Sequence, residues 1–127
     1  MRFTITFLLL ITFATSSFAQ KAEVNGAYLS IENDTLNYGI IKMNGNGTRK
    51  LKVKNTGNAD LIITSCTGSC GCTVPKCPDY TLLPGKSGEI KIVYDTKRIG
   101  TFSKTVTIKS NAINNTVYIK VTGEVKP

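Results

Sequence analysis

No histidine occurs anywhere in this chain of 127 residues. That absence removes Ser-His-Asp and Cys-His nucleophilic sites, and with them the mixed cysteine–histidine ligand sets of many zinc centres. Acidic side chains are few: eight Asp and Glu, scattered, with no pair suggesting a shared site. Paired-carboxylate hydrolysis therefore has no support. A glycine-rich phosphate loop is also missing. Helical periodicity is absent after the first twenty residues. A dense basic run is lacking too, and arginine is scarce. Sixteen Lys and Arg against eight acids still leave a formal charge of +8. Lys50, Lys52 and Lys54 alternate with Leu51 and Val53, while Lys91, Lys104, Lys109 and Lys120 sit between apolar positions. This is the solvated face of strands, not a nucleic-acid patch. Weak attraction to anionic surface polymers or lipid headgroups is compatible with it.

The one long apolar run lies at the start. Arg2 precedes Phe3 to Phe13, broken only by Thr4, Thr6 and Thr12. Ser17-Phe18-Ala19 then fits the small-x-small rule, so cleavage is expected between Ala19 and Gln20. The run is shorter than the about 20 residues that span a bilayer. With no cysteine beside the cleavage site, a lipid-anchored form is not indicated, and no later segment is apolar enough to span a membrane. The expected organisation is a signal peptide at 1–19, a flexible lead at 20–26 and one domain at 27–127. Removing Arg2 leaves 15 basic and 8 acidic residues, a charge of 15 − 8 = +7. The protein is read as exported, either periplasmic or secreted.

The expected domain is a succession of short strands. Leu51 and Val53 oppose their lysine neighbours with period two. Ile90, Ile92 and Tyr94 form a second inward set, Phe102, Val106 and Ile108 a third, and Val117, Ile119 and Val121 a fourth. Leu61-Ile62-Ile63 reads as a short, fully apolar strand. The segments 27–31 and 36–41 are weaker strand candidates. Asn44-Gly45-Asn46-Gly47 predicts a tight hairpin, because both residue types tolerate positive φ. Turns are also expected at 55–58 and 83–88, and 110–115 closes the last hairpin. About seven strands with regular turn signals predict an all-β, immunoglobulin-like sandwich.

All four cysteines fall within twelve residues: Cys66, Cys70, Cys72 and Cys77. Three readings stay open. In an oxidising compartment an even number of cysteines pairs, but four allow three connectivities. A Cys66–Cys77 bond would close about a dozen residues, and the chain-entropy model assigns that about 3 kcal/mol. Cys70 and Cys72, if on a strand, would stand about 6.6 Å apart, at the limit for a bridge, so their bond would be strained and easily reduced. Gly71 between them eases the backbone. Alternatively, four thiolates can hold zinc, iron or Cu(I), although this spacing is not the paired Cys-x2-Cys of zinc ribbons. Finally, a reducible Cys70–Cys72 pair, with Lys76 nearby, can exchange with other thiols.

Several segments carry a family resemblance, in order along the chain. They are Leu36-Asn37-Tyr38-Gly39, Val53-Lys54-Asn55-Thr56-Gly57, Leu61-Ile62-Ile63 and Ser69-Cys70-Gly71-Cys72-Thr73-Val74-Pro75. Next come Leu83-Pro84-Gly85-Lys86-Ser87-Gly88, Ile92-Val93-Tyr94-Asp95, Gly100-Thr101-Phe102-Ser103-Lys104, Ser110-Asn111 and Val121-Thr122-Gly123-Glu124-Val125. Together they resemble the bacterial domain-of-unknown-function family 1573, which is related to major sperm protein and to pilus-chaperone sandwiches. The resemblance implies the sandwich, export and a Gram-negative envelope or secreted location; it offers no reaction. The family pattern matches Cys70 and Cys72 alone, so the resemblance implies that the additional Cys66 and Cys77 pair with each other. The expectation is a non-enzymatic module without cofactor, whose partner is a protein or an envelope polymer and not nucleic acid. Its candidate contact loop runs from Cys66 to Pro84 and offers Thr73, Lys76 and Tyr80. The alternative is a thiol-based metal or redox protein using Cys70 and Cys72.

Overall fold

The structure, a computed structural model, describes residues 25–127. The expected signal peptide and most of the 20–26 lead lie outside the described residues. Eight strands follow in order: β1 (Leu29–Ile31), β2 (Thr35–Lys42), β3 (Thr48–Asn55), β4 (Ile63–Gly68), β5 (Thr73–Lys76), β6 (Ser87–Tyr94), β7 (Gly100–Ser110) and β8 (Thr116–Lys126). They form two four-stranded sheets, ordered β1-β3-β6-β5 and β2-β8-β7-β4. The chain changes sheet at every connection except β5–β6 and β7–β8. The result is an all-β, immunoglobulin-like sandwich. Among the described residues no helix is long and apolar enough to cross a membrane.

Period-two alternation produces the core directly. Leu51, Val53, Ile90, Ile92 and Tyr94 point in from one sheet; Phe102, Val106, Ile108, Ile119, Val121 and Val125 point in from the other. Each fully buried Val, Leu or Ile removes apolar surface from water, worth about 1.5–3 kcal/mol per side chain. Three aromatic rings fill one end. Tyr94 stacks on Phe102 at 3.7 Å, and Tyr38 meets Phe102 edge-on at 5.7 Å. Gly123 lies opposite Phe102 in the ladder, where a Cβ would come within 2.6 Å of the ring. The Tyr38 hydroxyl donates to the Ile92 carbonyl of the opposite sheet at 3.0 Å.

A second lock lies at the other end. Asn55 is fully buried. Its Oδ1 accepts from the amides of Gly57 (3.0 Å) and Tyr28 (3.3 Å). Its Nδ2 donates to the carbonyls of Ala59 (2.7 Å) and Leu82 (2.9 Å). One side chain thus ties β1, the turn after β3 and the segment before β6. A Cβ at Gly57 would run into the Gly26 carbonyl, so Asn55-Thr56-Gly57 has a structural reason for both its first and its last residue.

Two expectations need correction. Asn44-Gly45-Asn46-Gly47 does turn the chain sharply: Asn44 has φ 62° and Gly45 N–H donates to the Lys42 carbonyl at 2.8 Å. It is not a hairpin, because β2 and β3 belong to different sheets. Leu61-Ile62-Ile63 is not a fully apolar strand: Leu61 and Ile63 are buried, whereas Ile62 faces solvent and β4 begins only at Ile63. The sandwich itself is as expected, its eight strands including β5, which the cysteine segment supplies.

Candidate functional site

The cysteines occupy the connection between two edge strands. β4 is the outermost strand of one sheet and β5 the outermost of the other. Ser69-Cys70-Gly71-Cys72 turns the chain from one layer to the other. Of the three possible connectivities, the sulfurs are joined as Cys66–Cys77 and Cys70–Cys72. The first bond links β4 to the residue that follows β5, with Cα atoms 5.6 Å apart, and so clips the two sheets together along one side. The second joins residues whose Cα atoms lie 5.3 Å apart, well inside the bridging range. The strand-based expectation of about 6.6 Å fails because Cys70 and Cys72 sit in a turn.

These bonds settle what the sulfurs offer. There is no free cysteine among the described residues, so no thiolate set remains for a metal, and the metal reading is not supported. Cys72 is buried and its carbonyl accepts from the Asp95 amide at 2.9 Å. Cys70 is half-buried, which leaves it the more reachable sulfur of that pair.

The loop residues singled out above divide. Thr73 is buried, pointing into the sandwich, and has no side chain to present to a partner. Lys76 is exposed, as is Tyr80 at 52 %. Sequence reasoning overlooked Val74 and Leu83, which are exposed at 55 % and 51 %. The outward position of Val74 follows from its alternation with Thr73, but no strand is legible there until the register with β6 is known. Val74 lies directly opposite Val93, also exposed, beside a shallow cleft of about 420 Å³ lined by Gly71, Cys72, Asp95 and Lys97. Next to this apolar pair the ladder places Lys76 opposite Lys91, and Lys91 opposite Lys50. Three lysines thus stand in one row across three strands. Like charges directly opposite one another are destabilising. Among the described residues, Glu89, 3.6 Å from Lys50, is the acidic side chain that pairs with this row.

The family model for the protein of unknown function DUF1573 matches residues 29–125. The chain belongs to this family. No curated protein matches the sequence. Among solved structures, a protein of unknown function from Porphyromonas gingivalis is similar with a TM-score of 0.71 and 18 % identity, over 85 % of this chain and 51 % of that one. The PapD-like domain of human CEP192 is similar with a TM-score of 0.66 and 8 % identity, over 98 % of this chain and 97 % of that one. The periplasmic chaperone SfaE gives 0.60 and 11 %, over 79 % of this chain and 59 % of that one. The DUF1573 chain therefore spans about half the length of the first of these. At these identities the likeness is one of fold.

Proposed function

We propose that this DUF1573 protein is an exported, non-enzymatic module that binds a protein or an anionic polymer of the cell envelope. A cleaved leader at 1–19 delivers it to the periplasm or the exterior, where its cysteines are oxidised. The contact surface is the disulfide-fixed stretch from Cys66 to Pro84 together with the adjoining sheet face. The observation that carries this reading is the row Lys76–Lys91–Lys50 beside the exposed pair Val74 and Val93. A like-charged row costs stability, and an acidic or phosphate-bearing partner would offset that cost on binding. The disulfides hold the loop's backbone still, so little ordering entropy is lost on contact.

The test is retention of the purified protein on isolated envelope fractions, with three comparisons. Lys76→Glu with Lys91→Glu should abolish retention and Tyr80→Ser should weaken it. Reduction and alkylation of Cys66 and Cys77 should weaken it as well. Unchanged retention in the doubly charge-reversed protein would refute the assigned face, and unchanged retention after reduction would remove the disulfide loop from the contact.

A further inference from the structure

Cys66 lies in the ladder of β4 with β7, opposite Ile108, and Cys77 directly follows Lys76, which stands opposite Lys91 of β6. The two sheets therefore keep these sulfurs close whether or not they are bonded. Cys70 and Cys72 lie outside both ladders, in the turn between β4 and β5. Gly71 between them is exposed, and a Cβ there would meet nothing within 4 Å. This is the pair that an outside thiol can reach and that can part once opened. Reachable disulfides are the labile ones, open to exchange.

The two sulfurs are not equivalent. Cys70 is half-buried, whereas Cys72 is 2 % exposed. Thr73, equally buried, sets its Oγ1 3.8 Å from Cys72 Sγ, and among the described residues this hydroxyl has no other hydrogen-bond partner. A buried hydroxyl ordinarily has a full partner. A disulfide sulfur is a weak acceptor, and a thiolate is a strong one. The Thr73 hydroxyl is therefore fully matched only when Cys72 carries a negative charge. Burial in apolar surroundings opposes that charge, and the donated hydrogen bond offsets the opposition. Beside the turn lies the cleft of about 420 Å³, whose wall includes Gly71, Val74 and Val93.

We infer that Cys70–Cys72 is a thiol–disulfide exchange site that passes its bond to a cysteine pair of a partner protein. Only the docking place, the face of Val74 and Val93, rests on the binding reading above. The partner's first thiolate attacks Cys70 Sγ, the reachable sulfur. A bond forms between those two sulfurs and the Cys70–Cys72 bond breaks. Its electron pair leaves on Cys72 Sγ, which accepts from the Thr73 hydroxyl. The better stabilised the leaving thiolate, the faster it departs. The partner's second thiolate then attacks the partner's first sulfur and expels Cys70 as a thiolate. The partner departs with a disulfide, two electrons remain on Cys70 and Cys72, and the two protons lost by the partner's thiols end on them. Each chain has one such bond to give, so the exchange is stoichiometric and its oxidant is the disulfide itself. An apolar residue beside the partner's cysteine fits against Val74 and Val93.

The test is acid quench and alkylation of the oxidised protein at intervals after mixing with a reductant, followed by mass mapping. With dithiothreitol, labels should appear on Cys70 and Cys72 while Cys66–Cys77 stays intact. With reduced glutathione, the mixed disulfide should form on Cys70. Thr73→Val keeps the volume and loses the hydroxyl. It should slow the opening of Cys70–Cys72 by about three- to ten-fold, since part of one charge-assisted hydrogen bond is felt in the leaving step. Thr73→Ser keeps the hydroxyl and should exchange at the unmutated rate. A merely structural Thr73 gives the reverse order, with valine harmless and serine destabilising in urea. Of the peptide acetyl-Gly-Cys-Leu-Gly-Cys-Gly-amide and its analogue with serine for leucine, the first should be oxidised about five-fold faster. Opening of Cys66–Cys77 before Cys70–Cys72 overturns the inference and needs no variant to be seen. So does glutathione on Cys72, or an unchanged rate in Thr73→Val. Equal rates for the two peptides, with the other results as expected, would uphold the exchange and refute the docking face.

Discussion

Cutting the Cys66–Cys77 bond, through Cys66→Ala with Cys77→Ala, tests how the sandwich is held shut on its cysteine side. The cross-link joins residues 11 apart, so a loop of about 12 residues is closed in the unfolded chain. In the chain-entropy model this costs the denatured ensemble about 9.5 cal/mol/K, or about 2.8 kcal/mol at 25 °C. Both cysteines are only half-buried, so truncation to alanine adds little to that loss. For a domain of this size the loss corresponds to a melting temperature lower by roughly 10–20 °C. Urea unfolding should show the same loss with a larger m, since the uncrosslinked chain exposes more surface. A folded-state signature is also expected. β5 is four residues long and pairs only with β6, so without the bond the amides of Val74 and Lys76 should exchange before those of β7 and β8. The comparison pair is Cys70→Ala with Cys72→Ala. Its ring is far shorter, and the same model gives it about 1.6 kcal/mol, to which the truncation of buried Cys72 adds. A loss below about 1 kcal/mol for the Cys66–Cys77 pair, with m unchanged, would refute the staple argument.

Three further outcomes follow from the interior. Asn55→Ala strips the four hydrogen bonds of a buried side chain and leaves the Tyr28 and Gly57 amides and the Ala59 carbonyl unmet, while the Leu82 carbonyl keeps the Leu61 amide; chemical denaturation should show a loss of about 2–4 kcal/mol. Gly47→Ala and Gly57→Ala each drive a Cβ onto a backbone carbonyl, of Tyr94 and Gly26 respectively, and each should lose about 2 kcal/mol or more in the same assay. The Tyr38 phenol is pushed up to about 12 by burial, with the Arg49 guanidinium 4.7 Å from its ring pulling partly against that. Folding thus favours the protonated phenol; this contribution is complete below pH 10, the ordinary value, and is lost as pH rises through about 12. The loss should approach about 2–3 kcal/mol, and a pH series of urea melts should show Tyr38→Phe lacking it.

The parts of this fold legible in the sequence are those where one residue's neighbours decide its direction. β6 buries every second residue over all eight of its positions, and β3, β7 and β8 do so over shorter stretches (Leu51–Asn55, Val106–Ile108 and Ile119–Val121), so their inward sets are readable from alternation alone. The limits of that logic show at Lys104. The apolar series Phe102, Val106, Ile108 skips it, yet the ladder sets Lys104 opposite buried Val121, and it is half-buried. Pairing between distant segments was not readable: β2 runs parallel to β8, and nothing local to 35–42 names that partner. For the same reason the turn signal at Asn44-Gly45-Asn46-Gly47 is sound while the hairpin expected from it is not; turn chemistry fixes a reversal of the chain, not the layer to which the next strand belongs. The cysteine segment hid a strand because Thr73-Val74-Pro75-Lys76 is short and contains proline, and proline is admitted there only because β5 is an edge.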